Sequence, residues 1–518
     1  MRAYFSKWVV FGAALSMMTT SVVAADITLR SNNGAFSLSG ELVEFDGNIY
    51  VLKSVFGQVR IEAAAVICSG VDCPDLSAFS KDFLIAGTYT TGKTLLPTLL
   101  EDFATSAGLR SVAESANAVA LQDGAGDVAA LVSLANGGTT EGFAALADGT
   151  ALLAVSSRQP SRPEVSAISE AGFGDITADG RQTVLAMDGL VILVSPDNPV
   201  SSLTIQQIGG IFSGTITNWN EVGGPDAAIN VYRQNGATSD SEFFRSEVLT
   251  QTGGGFTQAA SIISDNGNIS ESVAADAFGI GFSSFADKGL ARAVSLQGSC
   301  GIFSEPTNFS IKTEEYPLSR RLMVYVPDRA LPEVGGDLIA YMASDAAQVS
   351  VAQAGYVDLN AVLKSVNDQG LRFANAILGD NEELDLADLK EMAKQLVGAE
   401  RLSTTFRFID GSSTLDARAG RDVKRLMDWL AGQNLTNKQI MLVGFTDNNG
   451  KSNVNMALAA QRAQQVLDEM SAIAPAGMLE KINVKIVGLG ETSPMACSAA
   501  PRGRFVNRRV EVWIRDEN

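Results

Sequence analysis

The pattern of apolar and polar positions changes character twice along this chain of 518 residues. In residues 26–79, short alternating runs are separated by turn residues, as in ITLR, FSLSGELVEF, NIYVLKS and QVRIEAAAVI. The dipeptide Asp46-Gly47 between two of these runs is a strong signal for a β-hairpin. The pattern predicts a small all-β module, whose function the sequence does not reveal.

Strand-like and helix-like segments alternate from residue 80 to residue 365. The strand-like DFLIAG precedes the helical LLPTLLEDFATSAG, and TVLAMDGLVILVS precedes the amphipathic LTIQQIGGIFSG. Strands alternating with helices indicate an α/β architecture with a mainly parallel sheet. The length of this region suggests two lobes rather than one.

The last part of the chain begins with a connecting segment. Residues 366–401 contain two helix-like stretches, separated by the polar Gly379-Asp380-Asn381-Glu382. Residues 402–518 then show the strand-like QIMLVGF, INVKIVGLG and RRVEVWI with helix-like segments among them. We therefore predict a multidomain α/β protein with a helical linker over 366–401 and a C-terminal α/β sandwich over 402–518.

The N-terminus has the pattern of a secretory signal. Arg2 and Lys7 precede a largely apolar stretch from Trp8 to Val23, and small residues lead to Ala25. This pattern predicts a signal peptide over residues 1–25, cut after Ala25, and the alternative is an uncleaved anchor. We expect the mature protein to lie outside the cytoplasm, in the periplasm of a Gram-negative bacterium and associated with its cell wall.

Charge and composition exclude several classes of function. The formal net charge is −19, although residues 401–518 alone carry 16 basic and 12 acidic side chains. An acidic body argues against nucleic acid as a partner. The chain has no histidine, which excludes Ser-His-Asp and Cys-His catalysis and histidine metal sites. We expect neither a catalytic site, nor a bound metal, nor a cofactor.

The four cysteines suggest one local bridge. Cys68 and Cys73 flank a short turn, so an oxidising compartment favours a disulfide between them. The partners of Cys300 and Cys497 are not assigned by the sequence.

Hydroxyl residues and glycines collect at three strand-to-helix turns in the middle region. Helix starts offer free backbone N–H groups and a positive dipole end, and arginines beside strand ends add charged donors, so an oxyanion site is the hypothesis. Each loop alone is better explained by ordinary helix capping, and three such loops together with the arginines favour a site. The candidate anion-binding residues are Thr88, Thr90, Thr139, Thr140, Ser157, Arg158, Arg233, Thr238 and Ser239.

Residues of roughly 82–363 resemble the periplasmic phosphate-binding proteins of ABC importers. The matching stretches are GTYTTGKTLLP, VSSRQP, AMDGLVILVSPDNPV, LTIQQIGGIFSGTITNWNEVGG, VYRQNGATSDSEFF, FGIGFSS and EEYPLSRRLMVYV. The resemblance implies two α/β lobes that hold the oxyanion between them, an ABC permease as partner, and roles for Thr88, Thr90, Thr139 or Thr140, and Arg233.

Two positions depart from that family. Ala237-Thr238-Ser239 stands where Ser-Gly-Thr is usual, and Arg158 stands where phosphate binders often carry an acidic acceptor for the proton of phosphate. A carboxylate at this position accepts a hydrogen bond from the O–H of protonated phosphate, which sulfate lacks. An arginine there therefore weakens the argument for strict phosphate selectivity.

A second site is suggested by Asp447 and Arg462, which lie fifteen positions apart at a predicted strand end and on the next helix. A carboxylate and a guanidinium fork can read the ammonium and the carboxylate of one zwitterion together. The alternative is a buried Asp447–Arg462 ion pair that ties strand to helix.

The flanking motifs of this second site resemble the OmpA-like peptidoglycan-binding domain. They are FRFIDGSSTLD, VGFTDNNG, NMALAAQRA, VGLGETSP and GRFVNRRVEVWI, and they cover nearly all of residues 402–518. The resemblance implies that Asp447 and Arg462 hold diaminopimelate of peptidoglycan, with Asn455 and Thr446 as supports.

The sequence as a whole predicts a non-catalytic binding protein that captures phosphate or a related oxyanion and is tethered to peptidoglycan. The alternative is a structural or sensor protein of the cell envelope whose two-lobed part no longer serves transport.

Overall fold

The computed structural model describes residues 26–32, 34–45, 49–70, 72–74, 81–88, 91–234, 238–263, 268–378, 385–409, 412, 414–416, 419–499 and 501–517. The predicted leader at 1–25, the hairpin dipeptide Asp46-Gly47, Thr90 and the polar break at 379–382 lie outside these residues. Within the described part of the chain, no helix is both long and apolar enough to cross a membrane. The chain divides into two compact units, Met1–Ser80 and Lys81–Asn518.

The first unit is an antiparallel sheet with the strand order β4-β3-β2-β1-β5. Its core contains Ile27, Leu29 and Leu52, and the ring of Tyr50 stacks on Phe45 with centroids 4.4 Å apart. Cys68 and Cys73 form a disulfide. The strands are β1 Asp26–Ser31, β2 Ser37–Phe45, β3 Ile49–Ser54, β4 Gly57–Glu62 and β5 Val66–Ser69.

The second unit begins with an α/β region built on one long sheet. Its first elements are β6 Asp82–Gly87, α1 Leu96–Ser106, β7 Arg110–Ser115, β8 Ala118–Gln122, β9 Val128–Ala135, α2 Thr139–Ala147, β10 Leu153–Ser156, α3 Arg162–Ile168, β11 Gln182–Val194, β12 Ser202–Thr204, α4 Ile205–Ser213, β13 Asn230–Gln234, α5 Ser239–Phe244 and α6 Thr250–Thr252. Its later elements are β14 Ser261–Ile263, α7 Ile269–Ala274, β15 Gly279–Ser284, β16 Arg292–Ala293, β17 Ser295–Gln297, β18 Phe303–Ser304, α8 Asn308–Lys312, β19 Ser319–Tyr325, α9 Glu333–Met342 and α10 Ala347–Gln353.

This sheet is mixed, which corrects the prediction of a mainly parallel one. The order is β14-β13-β15-β11-β19-β10-β6-β9-β8-β7. Parallel pairs occur within each half, at β14-β13-β15 and at β10-β6-β9. The central strands β11 and β19 pair antiparallel with each other and with their outer neighbours. They do so because one of them carries the chain from the first lobe to the second and the other carries it back.

The hinge between the lobes therefore lies on β11 and β19. Gln182 of β11 pairs with Tyr325 of β19 beside the first lobe, whereas Gly189 pairs with Ser319 at the far end of the ladder. The last residues of β11, from Leu190 to Val194, pair with β15 of the second lobe. The predicted two-lobed architecture is confirmed.

The C-terminal domain is a five-stranded sheet with the order β20-β21-β24-β22-β23. Helices α13 and α14 pack on one face of this sheet. Helices α11 and α12 of the predicted linker cover the other face, where Met392 and Leu396 pack against Met441 and Trp513. The elements are β20 Leu363–Ser365, α11 Gly370–Leu378, α12 Leu386–Leu396, β21 Glu400–Arg407, α13 Ala419–Ala431, β22 Lys438–Phe445, α14 Ser452–Ile473, β23 Asn483–Gly488, α15 Pro501–Asn507 and β24 Arg509–Asp516.

The C-terminal domain is bound to the hinge and to the second lobe, in a set of contacts that we call the hinge clamp. A disulfide joins Cys300 of the second lobe to Cys497. The polar contacts are Arg401–Glu315 at 2.6 Å, Arg321–Asp416 at 3.1 Å, and guanidinium bonds from Arg407, Arg421 and Arg502 to the carbonyl oxygens of Thr313, Gln182 and Ser319. These contacts hold both ends of the hinge ladder against one domain.

Candidate functional site

The first hydroxyl loop follows β6 and is held against the neighbouring strand β10. Gly87 has φ 149°, and a Cβ there would lie 2.0 Å from the carbonyl oxygen of Val155, so only glycine permits this approach. Thr88 donates its N–H to that same carbonyl at 3.1 Å. The hydroxyls of Thr88 and Thr91 bond to each other, and both side chains are buried. Two of the loop hydroxyls thus lie inside the molecule.

The second loop and the end of β10 meet at the start of α2. The Thr139 hydroxyl accepts the N–H of Ser157 at 3.3 Å, and the two hydroxyl oxygens are 3.4 Å apart. Both residues are buried, at 1% and 4% exposure. The N-terminus of the nine-residue helix α2 and two buried hydroxyls therefore lie close together, as the anion hypothesis requires.

Arg158 is already engaged by a carboxylate. Its guanidinium donates to both oxygens of Glu164, at 2.8 and 2.7 Å, and to the Thr140 hydroxyl at 3.0 Å. The hydrogen bond with Glu164 raises the pKa of Arg158 above its ordinary value. The guanidinium that the sequence analysis assigned to an oxyanion is thus neutralised by a carboxylate in the following helix, α3.

A carboxylate that the sequence did not single out lies across the start of α2. Glu242 of α5, in the second lobe, faces the N–H and the hydroxyl of Thr140 in the first lobe, and both groups act to lower the pKa of its carboxyl. Burial raises the pKa of Glu242, while Thr140 and the nearby charge of Arg158 oppose that rise. Its Oε2 oxygen is buried without a hydrogen-bond partner in the described part of the chain. An acidic acceptor thus stands beside Arg158, supplied by the opposite lobe.

The third loop gives a less uniform result. Arg233 donates to the carbonyl of Gln234 at 3.1 Å, and its guanidinium lies 5.1 Å from the ring centroid of Phe256. Thr238 caps α5, since its hydroxyl accepts the N–H of Ser241 at 3.3 Å. Ser239 is 1% exposed and its hydroxyl has no partner among the described residues. Ser239 is therefore an available donor, whereas Thr238 is used as a cap.

A buried charge cluster on the hinge also escaped the sequence analysis. Arg320 of β19 donates to Asp188 of β11 at 2.9 and 2.6 Å and also to Asp240 at the start of α5. Burial, together with the charges of Asp240 and Asp188, raises the pKa of Asp287 to about 6. The only local sign was a carboxylate inside the apolar run of β11.

The second predicted site lies where β22 ends. Asp447 is 7% exposed, pairs with Arg508 at 2.8 Å and accepts the N–H of Asn449 at 3.1 Å. The carboxylate's ion-pair partner is thus Arg508 rather than Arg462, which answers the alternative of a direct Asp447–Arg462 pair. Arg508 lies in the stretch GRFVNRRVEVWI and is not among the residues predicted for this site.

Arg462 reaches the same domain from α14. Its guanidinium donates to the carbonyl of Ser412 at 3.2 Å and lies 5.3 Å from the ring centroid of Phe408. The two predicted supports are buried, and neither the Thr446 hydroxyl nor the Asn455 amide nitrogen has a hydrogen-bond partner in the described part of the chain. Buried polar atoms without partners are rare, and they suit a site that receives a ligand.

Within the described residues, no group of three carboxylate or cysteine side chains is placed to hold a metal ion. The groups brought together at both sites are hydroxyls, amides, carboxylates and guanidinium groups. This chemistry suits the binding of small polar ligands by hydrogen bonds and charge.

Comparison with family models finds two matches. Residues 84–346, more than half of the 518 residues, match a PBP superfamily domain. Residues 407–508 match the OmpA family.

Curated relatives match the middle of the chain. Phosphate-binding protein PstS of Borreliella burgdorferi is 23% identical over 192 residues, which cover 36% of this chain and 68% of that protein. The proteins of the same name from Staphylococcus epidermidis and Staphylococcus aureus are 30% identical over 182 residues, which cover 33% of this chain. The match spans 54% of the length of these staphylococcal relatives.

Solved structures match the same part. An ABC-type phosphate transport receptor from Vibrio cholerae is 23% identical, with a TM-score of 0.41. The match covers 53% of this chain and 99% of the receptor chain. A phosphate-bound putative phosphate ABC transporter substrate-binding protein from Clostridium perfringens is also 23% identical. It covers 54% of this chain with 99% of its own length and a TM-score of 0.41.

Proposed function

The chain belongs to the PBP superfamily and carries an OmpA-family domain, and on that premise we propose a periplasmic solute-binding protein tethered to peptidoglycan. Its two-lobed part captures phosphate or a related protonated oxyanion. Its C-terminal domain holds the protein on the cell wall of a Gram-negative bacterium. An ABC permease is the expected recipient of the captured oxyanion.

One observation carries the choice of a protonated oxyanion. The buried Oε2 of Glu242 has no hydrogen-bond partner among the described residues and lies at the start of α2. A carboxylate oxygen there accepts an O–H, which phosphate retains at neutral pH and sulfate lacks. The argument against phosphate was that Arg158 stands where an acidic acceptor is usual. Glu242 of α5 supplies that acceptor from the other lobe, so the argument no longer holds.

The donors of this proposed site come from both lobes. Thr88, Thr139 and Ser157 belong to the first lobe, and the second lobe supplies the Ser239 hydroxyl, which has no partner within the described ranges. Helix-start N–H groups complete the set. All nine candidate anion-binding residues stay predictions, and the contacts of Arg158 and Thr238 reduce what each can offer to a ligand.

Titration calorimetry of the mature full-length chain with phosphate, arsenate and sulfate tests the capture proposal. We expect heat with phosphate and arsenate and a much weaker response with sulfate. Ser239→Ala is expected to weaken phosphate binding about tenfold, the value of one hydrogen bond to a charged group. The exposed Ser246 is the matched control, and Ser246→Ala should bind as the parent does.

The tether is proposed from the environment of Asp447 and Arg462. Each carries a charge in a buried setting, beside the Thr446 hydroxyl and the Asn455 amide nitrogen, which have no hydrogen-bond partner among the described residues. A pull-down on purified peptidoglycan should lose the protein in Asp447→Ala and in Arg462→Ala. Asp468→Ala changes an exposed carboxylate on the same helix as Arg462 and should leave binding intact. Undiminished binding of both site variants would contradict the tether.

The hinge clamp favours a second candidate, an envelope sensor or structural protein. A disulfide and several guanidinium contacts hold the hinge ends and the second lobe on one domain, which limits the movement of the lobes. Absence of heat with every oxyanion, combined with intact peptidoglycan binding, would favour this candidate over solute capture.

A further inference from the structure

A cavity of about 430 Å³ lies where the second lobe meets the C-terminal domain, and we call it the junction cavity. Ser299, Cys300 and Ile302 of the second lobe form one wall. Thr446, Asn448 and Asn449, which surround Asp447 in the chain, contribute to the opposite wall. Pockets of about 300–1,000 Å³ are the usual size for small-molecule ligands, so this volume admits one sugar or peptide unit.

The walls of the junction cavity are held in place. The disulfide Cys300–Cys497 crosses from one wall to the other, and the Cys300 N–H also lies 3.1 Å from the Cys497 sulfur. Asn507 accepts the N–H groups of Met495 and Ala496 at 2.8 and 3.2 Å, which fixes the loop that carries Cys497. A site with fixed walls loses little conformational entropy when a ligand binds.

Besides one buried carboxylate, Glu491, and the guanidinium of Arg504, the polar side chains of the lining are hydroxyls and amides. Thr446 is 3% exposed, and its hydroxyl has no partner in the described part of the chain. A buried hydroxyl without a partner is unfavourable in the free protein, so a ligand that bonds to it gains affinity. Asn448 and Asn449 add two exposed amide side chains next to it. The charged Arg504 donates from Nη1 to the carbonyls of Ser498 and Ala499, which holds its guanidinium against that loop.

We propose that the junction cavity is a second subsite for peptidoglycan, taking an uncharged amide-bearing group adjacent to the diaminopimelate at Asp447 and Arg462. The proposal rests on the proposed tether function. Thr446 and Asn448 line the cavity while Asp447, between them, pairs with Arg508. One continuous ligand can therefore contact both sides of this loop. The second lobe thus takes part in recognising the cell wall.

Peptidoglycan has two sources of such an amide, the stem peptide and the N-acetyl groups of the sugars. Three probes separate them: free diaminopimelate, a stem tripeptide that contains it, and the same tripeptide attached to its disaccharide. The mature full-length chain should bind a larger probe at least tenfold more tightly than free diaminopimelate. A gain already present with the tripeptide assigns the stem, and a gain that appears only with the disaccharide assigns the sugar.

The decisive variant fills the cavity from the lobe side. Ser299 is exposed and belongs to the second lobe, so Ser299→Trp changes no residue of the C-terminal domain. We expect it to remove the gain for the larger probes while binding free diaminopimelate as the parent does. Ser115→Trp, at an exposed serine that ends β7 in the first lobe, is the matched control and should keep the gain.

The outcomes are distinguishable. If free diaminopimelate binds but larger probes bind no more tightly, or if Ser299→Trp keeps the gain, the subsite is refuted and the tether stands. If the parent binds none of the probes, the tether itself fails and the subsite with it. If Ser299→Trp loses free diaminopimelate as well, Asn449→Ala decides, because it keeps the backbone N–H that bonds Asp447. Asn449→Ala should lower binding of the larger probes about threefold, and an unchanged affinity refutes the subsite.

Discussion

Replacement of Glu511 by glutamine is expected to destabilise the C-terminal domain strongly. Glu511 is fully buried at the centre of β24 and pairs with Arg509 at 2.7 Å, Arg372 at 2.9 Å and Arg401 at 3.3 Å. Burial acts to raise the pKa of Glu511, but the three guanidinium groups outweigh it and hold the pKa well below its ordinary value. The carboxylate is therefore ionised in the folded protein.

The magnitude follows from the charges that remain. The cluster holds three guanidinium groups and two carboxylates, Glu511 and Glu315 of the hinge clamp. Glu511→Gln leaves three buried cations facing one anion. Removing one partner of a buried ion pair costs about 3–5 kcal/mol, so we expect a loss of about 4 kcal/mol. For a domain of this size the thermal midpoint would fall by roughly 10 °C.

Urea unfolding followed by tryptophan fluorescence measures this loss, since the indole N–H of Trp513 donates to Glu511 at 2.9 Å. Glu400→Gln changes an exposed carboxylate at the start of β21 and should cost less than about 0.5 kcal/mol. In the double variant Glu511→Gln/Arg372→Met, part of the loss should return, because one of the uncompensated cations is gone. A loss below about 1 kcal/mol in Glu511→Gln would refute the reasoning.

Three further predictions concern the lobes. Burial and neighbouring carboxylates raise the pKa of Asp287 to about 6, so its contribution to stability is present below its unfolded pKa of about 3.9 and is lost as the pH rises through 6. The free energy of unfolding of Asp287→Asn relative to the parent should therefore rise by about 3 kcal/mol from pH 4 to pH 8, as measured by urea unfolding. The same difference at both pH values would contradict this prediction. Glu242→Gln should bind sulfate more tightly and lower the preference for phosphate over sulfate at least tenfold in calorimetry, whereas an unchanged preference would remove Glu242 from the site. The double variant Cys300→Ser/Cys497→Ser opens a loop with a sequence separation of 197 residues and should lose up to about 5 kcal/mol in non-reducing thermal unfolding. Under reducing conditions the parent should match this variant, and a difference that persists there would assign the loss to packing instead.

The sequence determined the fold class and the order of the elements, because hydrophobic periodicity is a short-range property. The strand DFLIAG, the helix LTIQQIGGIFSG and the motif VGFTDNNG each carry their own signal within about a dozen residues. The mixed character of the long sheet was less accessible. Strand direction depends on which strands become neighbours, and β11 and β19 are separated by the whole second lobe.

The tertiary structure decided which groups face each other at the sites. Glu242 faces Thr140 from 102 positions away, and Asp447 pairs with Arg508 from 61 positions away. The disulfide between Cys300 and Cys497 spans 197 positions. Local pattern identifies a hydroxyl or a carboxylate as a candidate, but its partner is set by sheet order and by the packing of separate domains. For this reason the residues of both sites could be listed from the sequence, whereas the occupied fork of Arg158, the carboxylate at the start of α2 and the cavity beneath Thr446 arise only in the folded chain.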